Sequence, residues 1–330
     1  GLERPFYELD ARWSAGLSAE SLSQVENRYA LGTRVDSWRA DRQAFDIHRG
    51  WSSGLRGDWT RRWTAGFRYD RARFAPADTA LVGPLPDDRT LALPYMRLDL
   101  LQDDYVTAHN LDQIGRTEDL RFGTQLSAEL GVSQAALGAN RNAFVASLGA
   151  SRGYRLVHEQ SLFLAGSWGS RLEGGSLRDS LLSVSSRYFW RASGKTVLFV
   201  GFAADKGSAL DLDHELMLGG DTGLRGYPLR YQTGTARALL TVEGRYFTNW
   251  YPLRLARVGA AVFADIGRTW GASALAVPEL GTLRDVGIGL RFGNTRSALG
   301  NVLHVDLAFP LDGDPSVKSM QFLLKTYKSF

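Results

Sequence analysis

Asp285-Val286-Gly287-Ile288-Gly289-Leu290-Arg291-Phe292-Gly293 places Val286, Ile288, Leu290 and Phe292 on one face of an extended chain and Asp285, Gly287, Gly289, Arg291 and Gly293 on the other. Successive side chains of a strand point to opposite faces, so a strict period of two marks a sheet with one apolar and one polar side. The same split recurs on both sides of this stretch. Leu303, Val305, Leu307 and Phe309 oppose His304, Asp306 and Ala308. Ala238, Leu240, Val242, Gly244, Tyr246 and Trp250 oppose Arg237, Thr241, Glu243, Arg245 and Asn249. Over 119–132, Leu120, Phe122, Leu126, Ala128, Leu130 and Val132 share a face. Early in the chain, Tyr7, Leu9, Ala11, Trp13 and Ala15 alternate with polar neighbours, as do Trp63, Ala65, Phe67 and Tyr69. The spacing predicts strands at about 5–17, 28–40, 43–55, 59–74, 91–108, 117–133, 142–154, 158–171, 176–192, 196–206, 209–218, 236–250, 255–270, 282–294, 301–310 and 317–330, sixteen in all. Turn chemistry separates several of them, as at Arg56-Gly57-Asp58, Ser193-Gly194 and Leu311-Asp312-Gly313-Asp314-Pro315.

Composition narrows the chemistry. The 330 residues include no Cys, which excludes disulfides, thiolate nucleophiles and Cys-based zinc sites. The five His (His48, His109, His158, His214, His304) show no HxH or HxxxH spacing. Only five of the 39 basic residues are Lys, and the Arg are scattered rather than clustered, unlike a nucleic-acid-binding face. No run approaches the roughly 18–20 apolar residues of a spanning helix. The chain begins at Gly1 with neither an initiator Met nor a signal peptide, and is expected to be a processed or truncated piece. Alternation runs from end to end without a linker, so one domain over 1–330 is expected, with no repeat of fixed motif.

A soluble sandwich and a membrane barrel both alternate. A sandwich turns its apolar side to a core, a barrel to lipid. Four features favour the barrel. The predicted strands often reach 13 residues, against about 5–6 in soluble sheets. Their polar faces mix Arg, Asp, Glu and Gly, as a crowded wet lumen requires. Aromatics stand near strand ends (Trp13, Trp59, Trp190, Trp250, Tyr251, Trp270, Phe330), where interfacial girdles belong. The mean hydropathy of −0.20 suits strands that are half polar. Hydrocarbon offers no partner to backbone groups, so a spanning sheet must close on itself. The expected fold is all-β, a 16-stranded antiparallel transmembrane β-barrel with an inward-folded loop.

That loop, 219–235, reads Gly219-Gly220-Asp221-Thr222-Gly223-Leu224-Arg225-Gly226-Tyr227-Pro228. It resembles the GG…(V/L)RG(F/Y) loop of the Omp85 superfamily of outer-membrane proteins, and further matches follow in order. Glu243 falls at an inward position on the next strand, and Phe263-Ala264-Asp265-Ile266-Gly267 matches an FxDxG segment one strand later. Phe322, Leu324 and the terminal Phe330 match a C-terminal assembly signal, and five strands follow the loop. The matches cover mainly 215–330. The resemblance implies a loop folded back into the lumen and locked there by Arg225 between Glu243 and Asp265, with Gly219, Gly220, Leu224, Gly226, Tyr227, Phe263 and Gly267 as motif residues. A guanidinium fork between two carboxylates makes bidentate, charge-assisted bonds. Without the family, Arg225 reads as a solvated loop charge.

The resemblance further implies translocation or membrane insertion of polypeptide in the outer membrane of a Gram-negative bacterium, through a lateral seam between first and last strands. POTRA or passenger domains would lie upstream of Gly1. Expected partners are outer-membrane lipid, the outer-membrane assembly machinery and a client or passenger polypeptide, with a homodimer left open and nucleic acid not expected. The alternatives are a passive solute pore and a membrane anchor for an upstream enzyme such as a patatin-like lipase. No cofactor, metal or catalytic residue is expected. Gly166-Ser167-Trp168-Gly169 fails GxSxG. His214-Glu215 begins HExxH, but Leu218 ends it. Asp312 and Asp314 lack the downstream Glu of a calcium loop. Arg56-Gly57-Asp58 reads as a hairpin turn.

Overall fold

A computed structural model describes residues 1–77, 83–157, 159–272, 278–294, 301–313, 315 and 317–328. The fold is all-β and strand-rich. Its main sheet is antiparallel and contains β1 (Leu2–Arg4), β2 (Trp13–Ala30), β3 (Thr33–Arg56), β4 (Trp59–Pro76) and β5 (Arg89–Gln102). A side hairpin of β6 (Tyr105–His109) and β7 (Thr117–Arg121) interrupts it. The sheet resumes with β8 (Gln125–Ser133), β9 (Ala143–Arg155), β10 (Gln160–Glu173), β11 (Ser176–Arg191) and β12 (Thr196–Ser208). A second small hairpin, β13 (Leu216–Leu218) with β14 (Gln232–Gly234), carries the loop. The sheet then ends with β15 (Ala236–Phe247), β16 (Ala256–Trp270), β17 (Leu283–Asn294), β18 (Asn301–Pro310) and β19 (Gln321–Lys328). Sequence neighbours pair along the main sheet except where a side hairpin intervenes, so that β5 pairs with β8 and β12 with β15. Among the described residues no helix is long and apolar enough to cross a membrane.

The faces are inside out for a water-soluble sheet. On β16 and β17, Val262 and Ile288 are 61% and 55% exposed, while the alternate positions Asp265 and Arg291 are 0% and 2% exposed. Leu126, Leu130, Leu148, Leu164, Leu182, Phe202 and Val242 continue the exposed apolar band across neighbouring strands. Trp13, Trp59, Trp190 and Trp270 stand exposed at strand ends. Water would leave so large an apolar face uncovered at high cost.

The strand count differs from sixteen. Among the described residues the main sheet has fifteen strands, one of them only three residues long. The predicted strands 28–40 and 43–55 are one 24-residue strand, β3, because the turn falls at Leu31-Gly32, where both residues adopt positive φ. Residues 18–27 belong to β2, not to a loop, and 5–12 are a connection rather than strand. The runs 91–108 and 117–133 each break. The Phe122 and Gly123 N–H groups both donate to the Asp104 carbonyl, and a Cβ on Gly123 would lie 2.2 Å from the Gln102 carbonyl oxygen. That crossing throws β6 and β7 out of the sheet. Of 209–218 only Leu216–Leu218 is strand. Among the described residues no ladder joins β19 to β1 or β2, and β1 covers only the Ala15–Leu17 stretch of the β2 edge.

Candidate functional site: the inward loop and its carboxylate wall

Strands β15 to β18 turn one row of acids to the inner face. The ladder sets Thr241 beside Asp265, Asp265 beside Asp285, and Gly289 beside Asp306, with Glu243 opposite Phe263. Carboxylates so crowded need cations. The loop supplies one. Arg225 Nε donates to Asp265 Oδ2 at 2.7 Å and its Nη2 to Asp265 Oδ1 at 3.0 Å, a bidentate pair. Its Nη1 donates to Glu243 Oε2 at 2.7 Å and lies 3.5 Å from Asp306. The structure thus brings Arg225, Glu243 and Asp265 together, all buried. Burial would make the Arg225 guanidinium easier to deprotonate; bonds and charge from Asp265 and then Glu243 outweigh it and raise it above its usual range, so it stays charged.

The FxDxG segment divides its work among three residues. Phe263 offers its ring face to Arg225, whose Cζ sits 3.3 Å from the centroid, a cation–π contact. Asp265 takes the fork. Gly267 makes room: a Cβ there would approach Leu218 Cδ2 to 2.8 Å and Leu224 Cγ to 3.2 Å. Leu224 is wholly buried and clusters with Leu218, Tyr227, Tyr231 and Leu283.

The loop's own backbone explains its glycines. Gly220 N–H bonds Pro228 O at 3.0 Å, and Leu224 N–H bonds Gly219 O at 3.0 Å. A Cβ on Gly219 would lie 2.4 Å from Pro228 O, and one on Gly220 would lie 2.7 Å from Tyr227 O. Gly226 lies against β17, where a Cβ would meet Asp285 Cβ at 2.5 Å. Tyr227 stacks on Tyr231, with centroids 5.5 Å apart. Its hydroxyl sits 2.8 Å from the Arg284 carbonyl and 3.0 Å from that of Asp312, and burial pushes its pKa up to about 12.

Several partners escaped the sequence reading. Arg291 donates to Glu243 Oε2 at 2.9 Å and to Asp306 Oδ1, and Arg245 donates to Glu243 Oε1 at 2.9 Å. Both lie at the polar positions of strands already recognised, so parity could have found them. The other end of the loop, 209–215, is anchored across the sheet. Arg89 grips Asp213 with two bonds of 2.8 Å, and Arg42 adds a third at 3.1 Å. Arg171 donates to Asp179 at 3.1 Å and to Asp211 at 2.9 Å. His214 Nδ1 lies 2.9 Å from Asp179. Asp179, Asp211 and His214 stand close enough for a metal ion, but Arg171 already occupies both carboxylates. Burial acts to raise Asp213, yet Arg89 overrides it and holds the acid down at about 2; Asp179 raises His214.

Phe322 and Leu324 are exposed on the outer apolar face of β19, while Leu323 between them packs inward on Phe263 and Ala308. Phe330 lies outside the described residues. Ser167 sits in mid-strand on β10 rather than on an elbow. Asp312 pairs with Arg284, and Asp314 is outside the described residues. Gly57, at positive φ, turns β3 into β4.

No model of a known protein family matches the chain, and no curated protein matches it. Among solved structures, CdiB from Escherichia coli is similar with a TM-score of 0.49 at 15% identity, over 88% of this chain and 56% of that one. BamA from Haemophilus ducreyi lacking POTRA domains 1-3 gives 0.48 at 13% identity, over 98% of this chain and 61% of that one. CdiB from Acinetobacter baumannii gives 0.45 at 14%, over 96% and 60%. The chain spans about three-fifths of the length of these proteins.

Proposed function

We propose that this chain is an outer-membrane β-barrel of a Gram-negative bacterium that moves or inserts polypeptide, and that it is not an enzyme. The observation that carries the reading is the Arg225 clamp: a loop folded onto the inner wall and held by Asp265 and Glu243 obstructs the path that an open pore would need. The exposed apolar band supports the membrane setting, because lipid covers what water would not. In the bilayer the sheet closes on itself, since hydrocarbon leaves no backbone group unpaired. The closing seam lies between β19 and the β1–β2 edge and is weak, because β1 takes up part of that edge. A weak seam exposes strand edges on which a client strand can pair. Phe322 and Leu324 address the chain to the outer-membrane assembly machinery, and Arg225, Glu243 and Asp265 lock the loop. The client is a polypeptide, including one fused upstream, and a second copy pairing at the seam gives a homodimer.

Purified protein in planar lipid bilayers tests this. Small, erratic conductance is expected. Large, steady conductance overturns the translocator reading in favour of a solute pore.

A further inference from the structure

The side hairpin of β6 and β7 lies apart from the loop 219–235 and its Arg225 clamp. It leaves the sheet between Gln102 and Thr124, whose backbones are bonded to each other at 2.8 Å. Register places that root. The C-terminal end of β5 pairs with the start of β8, and the ladder continues through the end of β9, the start of β10 and the end of β11 to the start of β12. The loop 219–235 springs from the opposite end, after Ser208. The two insertions therefore enter from opposite ends of the sheet.

Both turn to the inner face. The hairpin lies on inward phenylalanines that form a continuous shelf: Phe122 to Phe163 at 5.1 Å, Phe163 to Phe189 at 6.1 Å, and Phe189 to Phe199 at 5.2 Å. Its tip reaches across to the far strands. Ile114 fits beside Gly293 of β17 and Gly259 of β16, where added Cβ atoms would lie 2.9 and 3.4 Å from it. The tip is built to hold its shape. The buried Glu118 carboxylate accepts the N–H groups of Leu111 and Asp112 at 2.8 and 3.0 Å, and Asn110 Oδ1 accepts that of Gly115 at 2.7 Å. Asp112 and the Leu111 carbonyl both bind Arg245 Nη1, at 3.0 and 2.8 Å. Arg245 binds one oxygen of Glu243, and Arg225 binds the other. Asp112 from the hairpin and Arg225, Thr222 and Asp221 from the loop line one cavity of about 780 Å³.

We infer that the hairpin 105–121 is a second plug, closing the lumen at the mouth opposite the loop, and that the chain Asp112–Arg245–Glu243–Arg225 couples the two so that displacing either loosens the other. The inference rests on the barrel reading of the inner face, not on the transport role. A passing polypeptide then meets two latches sharing one carboxylate, and release at one mouth weakens the grip at the other.

Three variants test it, each made in a chain that holds no native Cys. With Ile114→Cys and Gly293→Cys, oxidation of the membrane-embedded protein should give a disulfide, seen as a reducible shift in gel mobility. A protein that keeps a heat-resistant folded band yet forms no disulfide overturns the plug while leaving the proposed function standing. In a Leu224→Cys background, a membrane-impermeant maleimide should label this buried loop position at least about fivefold faster when Asp112→Asn is added. Equal labelling rates overturn the coupling. Replacing 105–121 by a short glycine turn should raise conductance severalfold, and unchanged conductance also counts against the plug.

Discussion

The loop between β12 and β15 is held at two places that differ in kind. Near its tip, Arg225, Glu243, Asp265, Arg291 and Asp306 form a buried network on four adjacent strands. At its start, Asp211, Asp213 and His214 reach strands distant in sequence, where Asp213 is buried but His214 is half-exposed. Buried ion networks contribute little over an apolar equivalent but lose heavily when one member is removed. Exposed pairs change little either way. The tip should therefore be an all-or-none latch, and the far anchor, where Arg89 and the part-exposed Arg42 share the buried Asp213 and His214 lies half-exposed, a graded one.

Breaking the tip has the largest expected effect. Arg225→Ala leaves Asp265 and Glu243 buried with fewer cations, a loss of about 3–5 kcal/mol in loop docking. Conductance in planar bilayers should rise, and the loop should become protease-sensitive. Arg225→Lys should rescue only in part, because an ammonium cannot reproduce the fork on Asp265. Next comes Gly226→Ala. Its Cβ would meet Asp285 Cβ at 2.5 Å and Pro310 N at 3.0 Å, so about 1–3 kcal/mol of overpacking is expected, read as a lower temperature of loop release. At the far anchor, Asp213→Asn removes the charge that Arg89 and Arg42 share, with an expected loss of about 1–3 kcal/mol and a smaller conductance change than Arg225→Ala. An equal or larger change would erase the distinction between the two anchors.

Acidity sharpens the comparison at the smallest scale. His214 is raised above 6.5 by Asp179, so its contribution is full below about 6.5 and is lost as pH rises through the folded value. Asp213 is held at about 2, so its contribution is present above about 3.8 and is lost as pH falls toward 2. Arg89 and Arg171 face the same cluster and stay charged throughout. The far anchor should be firmest between about pH 4 and 6.5. Conductance measured against pH should show this window in the native protein, and His214→Gln should remove its upper edge.

The two anchors were not equally legible. Alternation marks the polar and apolar faces, whereas Arg225 with Glu243 and Asp265 came from the resemblance of three separate segments to one family, since by itself Arg225 reads as a solvated loop charge. Arg291 and Asp306 lay in plain view at polar positions of the 285–293 and 303–309 runs, but nothing local said which carboxylate each would meet. Arg89 and Asp213 are 124 residues apart, and nothing local in the sequence says that they meet. The side hairpin was hidden for a different reason. Leu120 and Phe122 keep the same parity as Leu126, so the period of two ran straight across a break caused by backbone crowding at Gly123. Likewise the polar run 18–27 masked an edge strand, and the Leu31-Gly32 turn was misplaced because only backbone φ identifies it.

A plug or a latch needs lipid on the apolar face of the sheet and an enclosed space on the other. Spin labels on single introduced Cys along β9 test this most directly, read by collision with oxygen, which concentrates in lipid, and with a water-soluble nickel chelate. Ala146, Leu148 and Ala150 should favour oxygen, and Ser147 and Ser151 should not, giving a period of two in the reconstituted protein. Uniform accessibility to the nickel chelate along β9 would contradict the membrane placement and the account built on it.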